Sequence, residues 1–192
     1  MMARVRNILS KELSAPIADV YERFSDSYGP FRNQCAVFAH VPAALNHLMS
    51  LLMELKAQGN VKHRYIEIAI VVTSQLNECE YCVTHHRPIL EVEGLSREGI
   101  DRLLAYENHP ELDVVDKLVV EYTSLVTMGP NRIRDSVFER LRQHFSEAQI
   151  VELTLRIALC GFFNRFNDAL QIEEEAEALA VAGDALSQHA ND

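Results

Sequence analysis

Leu45, Leu48, Met49, Leu52 and Leu55 recur at intervals of three and four, the spacing that lines one face of a helix. Pro42 suits the first turn of that helix, and Gly59-Asn60 is a stop. The next segment, from about His63 to Leu76, holds Ile66, Ile68, Ile70, Val71 and Val72, which also suit a buried strand. We read it as helix because both neighbours are helical in pattern and no partner strands can be found. Another helix is expected from near Cys79 to about Glu93-Gly94, then a short one capped by Ser96 before Ile100, Leu103 and Leu104. Val114, Val115, Leu118, Val119, Tyr122, Leu125 and Val126 form a further stripe, ended by Gly129-Pro130. A helix over Asp135 to His144 follows. Ser146 and Gln149 then stand as a capping box for a long helix through Ile150, Leu153, Leu155, Ile157, Leu159 and Phe162 towards Glu173-Glu174-Glu175. Residues 1–35 are weakly patterned, with Val20, Tyr21 and Phe24 marking one early helix. The 7 glycines and 6 prolines fall between these segments rather than within them. No internal repeat, linker or composition shift divides the chain. The expectation is an all-α, single-domain multi-helix bundle over residues 1–183, with a polar tail, 184–192, that frays.

Composition narrows the function. The 192 residues carry 18 Lys and Arg against 28 Asp and Glu, a formal net charge of −10, which excludes the basic face that nucleic acid or an anionic membrane requires. No apolar run approaches the roughly 20 residues of a membrane helix. Four cysteines are too few for a disulfide scaffold, and no basic start with an apolar run and a small-residue cleavage site opens the chain, so a reducing cytoplasm is expected.

The chemistry concentrates around Asn77-Glu78-Cys79-Glu80-Tyr81-Cys82-Val83-Thr84-His85-His86. Asn77 and Glu80 have the spacing of a capping box, which puts Cys79 and Cys82 in the first turns of a new helix. Cys79, Cys82 and His86 then share one face. A helix N-terminus and a nearby imidazole both favour thiolate over thiol, the condition for redox chemistry. A thiolate that attacks a peroxide becomes a sulfenic acid, which a second thiol condenses to a disulfide. His86 is placed to take the proton from Cys82, and Glu67, a carboxylate interrupting an apolar helix, is the candidate to orient that imidazole. Tyr81 offers a hydroxyl between the two cysteines. The helix end favours Cys79 as the attacking thiol while His86 favours Cys82, so these residues alone leave the order open.

Glu67, eleven intervening residues, Cys79-x-x-Cys82, three more and His86 resemble the motif of the alkylhydroperoxidase D-like proteins, peroxidase-related members of the carboxymuconolactone decarboxylase superfamily. The likeness is strongest over residues 62–93. Ala39-His40-Val41-Pro42, the helix start at Phe145-Ser146, and Asn164-Arg165-Phe166-Asn167-Asp168-Ala169-Leu170 extend it to about 35–175. It implies an all-helical fold, a homo-oligomer (trimer or hexamer), no cofactor, and hydroperoxide reduction by a Cys/His/Glu relay. It implies further that Cys82 attacks the peroxide, that Cys79 is the more exposed thiol that resolves it and meets a dithiol or disulfide reductant protein, and that His86 and Glu67 complete the relay. Tyr81 departs from the founding pattern, which has histidine there; a phenol titrating near pH 10 is a poorer base.

The same residues admit other readings. A lactone decarboxylase, the superfamily's namesake, needs acid and base groups but no thiol pair. A non-catalytic helical oligomer would use the Cys-x-x-Cys to sense oxidation or, with Cys79, Cys82 and His86 as ligands, to hold zinc; no second Cys-x-x-Cys or His-x-x-x-His supports a metal site. His85 is expected at the helix surface or a subunit contact, with a secondary candidacy from its i+3 relation to Cys82. Cys35 and Cys160 read as core thiols. Asn164, Arg165, Asn167 and Asp168 read as a solvated or intersubunit face as readily as a site. Phe162, Phe163 and Phe166 read as core or oligomer contacts, and Glu173–Glu175 with Glu177 as a solvated helix end.

Overall fold

The computed structural model describes residues 3–28 and 31–175, and all regular secondary structure among them is helical. They belong to two compact units, Met1–Gly59 with Asn167–Asp192, and Asn60–Phe166.

In the first unit, α1 (Ala15–Tyr28) buries Val20 and Phe24, two of the residues that mark it in the sequence. A short helix the pattern does not announce, α2 (Arg32–Phe38), follows, buried from Gln34 to Phe38. The expected Leu-rich helix is present as α3. It runs through Pro42–Ala44, a π turn over Leu45–Met49 and Ser50–Gln58, and ends at Gly59, whose φ of 60° only glycine adopts at little cost. Leu45 and Met49 are fully buried. The acidic run near the C-terminus is not a solvated helix end. The last helix stops at Leu170, because Gln171 takes a left-handed φ of 52° and the Ile172 N–H bonds back to the Asn167 carbonyl. Glu175, buried, then accepts the Asn33 N–H at 2.6 Å in the first turn of α2, where a carboxylate offsets the positive helix end. Glu173 accepts the Ala3 N–H at 3.1 Å. Glu177 and the tail 184–192 lie outside the described residues.

The second unit is built around α4 (His63–Leu76), which packs against both α5 (Glu80–Val92) and α7 (Val114–Met128). Its β-branched residues form a helix because tertiary packing outweighs a small propensity cost: Ile68, Ala69, Val71 and Val72 are fully buried among Leu90, Leu118, Val119, Leu153 and Ile157. The remaining helices are α6 (Arg97–Asp101), α8 (Asp135–Leu141) and α9 (Glu147–Leu170), of which residues to Phe166 belong here. The helix expected to reach His144 thus ends three residues earlier. Pro88 lies inside α5, not between segments.

Two caps anticipated from sequence are present. Ser96 Oγ accepts the Gly99 N–H, and Ser146 and Gln149 exchange backbone and side-chain bonds before α9. A third was not anticipated: Asp113 Oδ1 accepts the Val115 and Asp116 N–H groups at 2.8 and 2.7 Å, while Asp116 reaches back to the Asp113 N–H. Asp113→Ala is expected to lower the unfolding free energy by about 1 kcal/mol, with Asp113→Ser retaining most of it, as read from urea unfolding.

Candidate active site

Every residue of the expected constellation lies in the second unit, at the junction of α4 and α5. Asn77 closes α4, Glu78 takes a left-handed φ of 57°, and the Glu78 and Cys79 N–H groups bond back to the Gln75 and Ser74 carbonyls. This is a Schellman turn with glutamate where glycine is usual, and the conformation costs about 1 kcal/mol. Cys79 is at once the last residue of that turn and the N-cap of α5, in extended conformation with no side-chain cap. The expected Asn77/Glu80 capping box is therefore absent. Asn77 belongs to the preceding helix, and its amide donates to Asn164 Oδ1 at 2.9 Å. Cys82 is the third residue of α5, in the turn where the partial positive charge of the helix is concentrated.

Cys79 is 0% exposed and Cys82 4%. The exposure expected of Cys79 is not found, because the Schellman turn tucks it beneath α9, its sulfur 3.9 Å from the Asn164 carbonyl. Asn164 also donates to Ser74 Oγ at 3.1 Å, so one buried amide joins the end of α4, the junction and α9. Asn164 and Asn167 are buried, whereas Arg165 and Asp168 are exposed, so the polar run is not a single solvated face.

His86 follows Cys82 by one turn on the same face of α5. Its Nδ1 donates to Glu67 Oε2 at 2.7 Å, and Glu67 is 4% exposed. The expected carboxylate–imidazole pair is thus formed. With Nδ1 committed to Glu67, Nε2 is the nitrogen able to exchange a proton on the side away from the carboxylate. The pairing has a second member that sequence reading passed over: His63, one turn before Glu67 on α4, places Nε2 3.4 Å from Glu67 Oε1 and donates from Nδ1 to Glu93 Oε1 at 2.7 Å. The i,i+4 spacing of His63 and Glu67 was the available signal.

Tyr81 and His85 lie on the adjacent face of α5. Both are buried, the rings are stacked with centroids 4.1 Å apart, and His85 Nδ1 donates to the Tyr81 carbonyl at 2.6 Å. His85 is therefore not a surface residue; stacking on Tyr81 one turn earlier draws it inward. Phe163 is buried, while Phe162 is 44% exposed. Among the described residues no three His, Cys, Asp or Glu side chains are grouped so that they could hold a metal ion. No described helix is long and apolar enough to cross a membrane.

Residues 42–106 match the carboxymuconolactone decarboxylase family, a span that covers the whole dithiol, His86 and Glu67. The match spans about a third of the chain and is a likeness to that family. The uncharacterized protein YdfG of Bacillus subtilis is 25% identical to this chain over 126 residues, 64% of this chain and 86% of the relative. An uncharacterized peroxidase-related protein from Ralstonia eutropha, described as an alkylhydroperoxidase AhpD core, superposes with a TM-score of 0.79 at 21% identity, covering 93% of this chain and 95% of that one. The debrominase Bmp8 superposes at 0.76 and 18% identity, covering 96% and 100%. These two likenesses concern the fold.

The two other thiols, Cys35 and Cys160, are buried as well. Burial pushes Cys35 and Cys160 from an ordinary 9.0 up to about 12, with like charge from Glu22 adding to the effect at Cys35. A thiol whose folded value is raised contributes stability that is fully present below its unfolded value and lost as pH rises towards the folded one. Between about pH 9 and 12 each should therefore cost about 1.4 kcal/mol per pH unit. The urea midpoint is expected to fall steeply above pH 9, less so in Cys160→Ala than in the parent; equal slopes would contradict the assignment. Glu78→Gly is expected to raise the unfolding free energy by about 1 kcal/mol.

Proposed function

We propose that the protein is a thiol-dependent peroxidase that reduces a hydroperoxide through a Cys79/Cys82 dithiol–disulfide cycle. The observation that carries this reading is His86, one turn from Cys82 and hydrogen-bonded at 2.7 Å to the buried carboxylate of Glu67. The Cys82 proton passes to His86 Nε2, and the thiolate attacks the distal peroxide oxygen, breaking the O–O bond. His86 returns the proton to the departing alkoxide, leaving Cys82 as sulfenic acid and releasing an alcohol. Cys79 attacks the sulfenic sulfur, forming the disulfide and expelling water. A dithiol reductant supplies two electrons and two protons to restore both thiols. Glu67 holds the imidazolium oriented throughout, and Tyr81 with His85 supplies the packed wall beside Cys82.

The reductant of such a cycle belongs to a reducing cytoplasm. The protein acts in this proposal as a homo-oligomer, trimer or hexamer. Support comes from Val151, Leu155 and Phe162, spaced four and seven apart on one face of α9 and 67%, 37% and 44% exposed. A second reading rests on the fold shared with Bmp8: the same dithiol gives two electrons to a bromoarene, yielding the arene, bromide and the disulfide. The His86–Glu67 pair would serve lactone decarboxylation as acid and base, but that reaction has no use for a thiol pair.

The deciding measurement is hydroperoxide consumption by the reduced protein with a dithiol donor. Turnover of an alkyl hydroperoxide is expected, falling at least about 100-fold in Cys82→Ser and about 10- to 100-fold in Glu67→Gln. Parental rates in Cys82→Ser would sink the peroxidase reading. Release of bromide from a bromoarene without peroxide turnover would replace it with the second.

A further inference from the structure

Glu67 is one buried carboxylate facing two imidazoles. Oε2 accepts from His86 Nδ1 at 2.7 Å, and Oε1 stands 3.4 Å from His63 Nε2. His63 is 47% exposed on its side chain and its other nitrogen, Nδ1, donates to Glu93 Oε1 at 2.7 Å. A neutral imidazole carries one N–H, so with Nδ1 donating to Glu93 it would turn a lone pair towards Glu67. Only the imidazolium has a hydrogen for both carboxylates. The backbone of Glu93 is held as well. The Arg64 guanidinium donates to the Glu93 carbonyl and, through Nε and Nη2, to the buried carboxylate of Asp116 on α7, which holds Arg64 further above its ordinary range. The charged groups around His63 are thus Glu67 and Arg64 from α4, His86 and Glu93 from α5 and its end, and Asp116 behind Arg64.

We infer that His63, braced by Glu93, is a positioning residue of the dithiol site: it holds the outer oxygen of Glu67 and competes with His86 for that carboxylate's single charge. The inference rests on the proposed function for its catalytic meaning and on geometry for its existence. While His63 is protonated, Glu67 is kept ionised in an apolar helix, but part of its attraction is spent on the outer ring. When His63 loses its proton, the whole charge acts on His86 and the imidazolium beside Cys82 is held more firmly. An imidazole is the side chain whose charge changes between about pH 5 and 8, so the exposed ring is a means for the outside pH to set the proton affinity of the inner one.

The test follows the titration of His86 by NMR in full-length protein with labelled histidine, the signal assigned with His86→Gln. His63→Gln is expected to move the His86 midpoint upward by about one pH unit. Glu93→Gln, which leaves the ring in place and removes its outer carboxylate, is expected to move it in the same direction by less. In a Glu67→Gln background, His63→Gln should give no upward shift. An unchanged midpoint in His63→Gln, or an equal shift without Glu67, overturns the inference; should His63→Gln not fold, an unchanged midpoint in Glu93→Gln does so alone. The midpoint is read without turnover, so loss of the peroxidase reading and loss of this coupling are separate results. Where turnover is present, the acid limb of its pH profile moves with the His86 midpoint.

Discussion

A carboxylate in the middle of an apolar helix is the constraint on which the site depends. Glu67 sits between Ile66 and Ile68 on the most buried helix of its unit, where an unpaired charge would cost several kcal/mol. The fold answers with two imidazoles, one from α5 and one from α4 itself. Bringing His86 within 2.7 Å fixes how α5 lies against α4, which in turn fixes where α5 begins, and that starting turn carries the two cysteines. The Schellman junction at 77–79 and the Asn164 amide hold that start from the other side. Stability and chemistry therefore share an origin: the pairing that makes Glu67 tolerable is the pairing that orients His86.

How much of this is legible in the sequence follows from how local each interaction is. Helices with a clean three–four stripe or a Ser cap were placed closely, because period and cap act within a turn or two. The His63–Leu76 helix required an argument about neighbours, since its β-branched residues fit either structure until α5 and α7 surround them. Glu67 and His86 were recognisable as a pair because a buried acid demands a partner. Asn164 was ambiguous because its partners, Ser74 and Asn77, lie 90 and 87 residues away. Glu175 was misread for the same reason, as its contact with the start of α2 spans 142 residues. The junction itself misled: Asn77 and Glu80 have capping-box spacing, but a left-handed Glu78 moved the cap to Cys79.

His63 differs from these, because its i,i+4 relation to Glu67 is local. One acid and one partner suffice to close the expected relay, so the sequence pattern alone does not call for a second imidazole. Carboxylates have two oxygens, and in a buried site both need a donor. Counting acceptor positions rather than residues would have asked what faces Oε1, and the only nearby helical neighbours of Glu67 with a donor are His63 and Arg64, the latter drawn away to Asp116.

All four cysteines are buried, so burial does not separate the proposed reactive pair from the other two sulfurs. Cys35 and Cys160 are governed by desolvation, which raises both to about 12. Cys82 is as thoroughly covered, but unlike them it stands in the first turn of a helix with His86 one turn on. The difference is in what surrounds the sulfur rather than in exposure. Burial also sets a condition on the proposed cycle: at 0% exposure Cys79 would meet a large reductant only once the 77–79 turn loosens. The left-handed glutamate in that turn stores about 1 kcal/mol that opening would recover, so this turn opens at lower cost than it would with glycine at position 78.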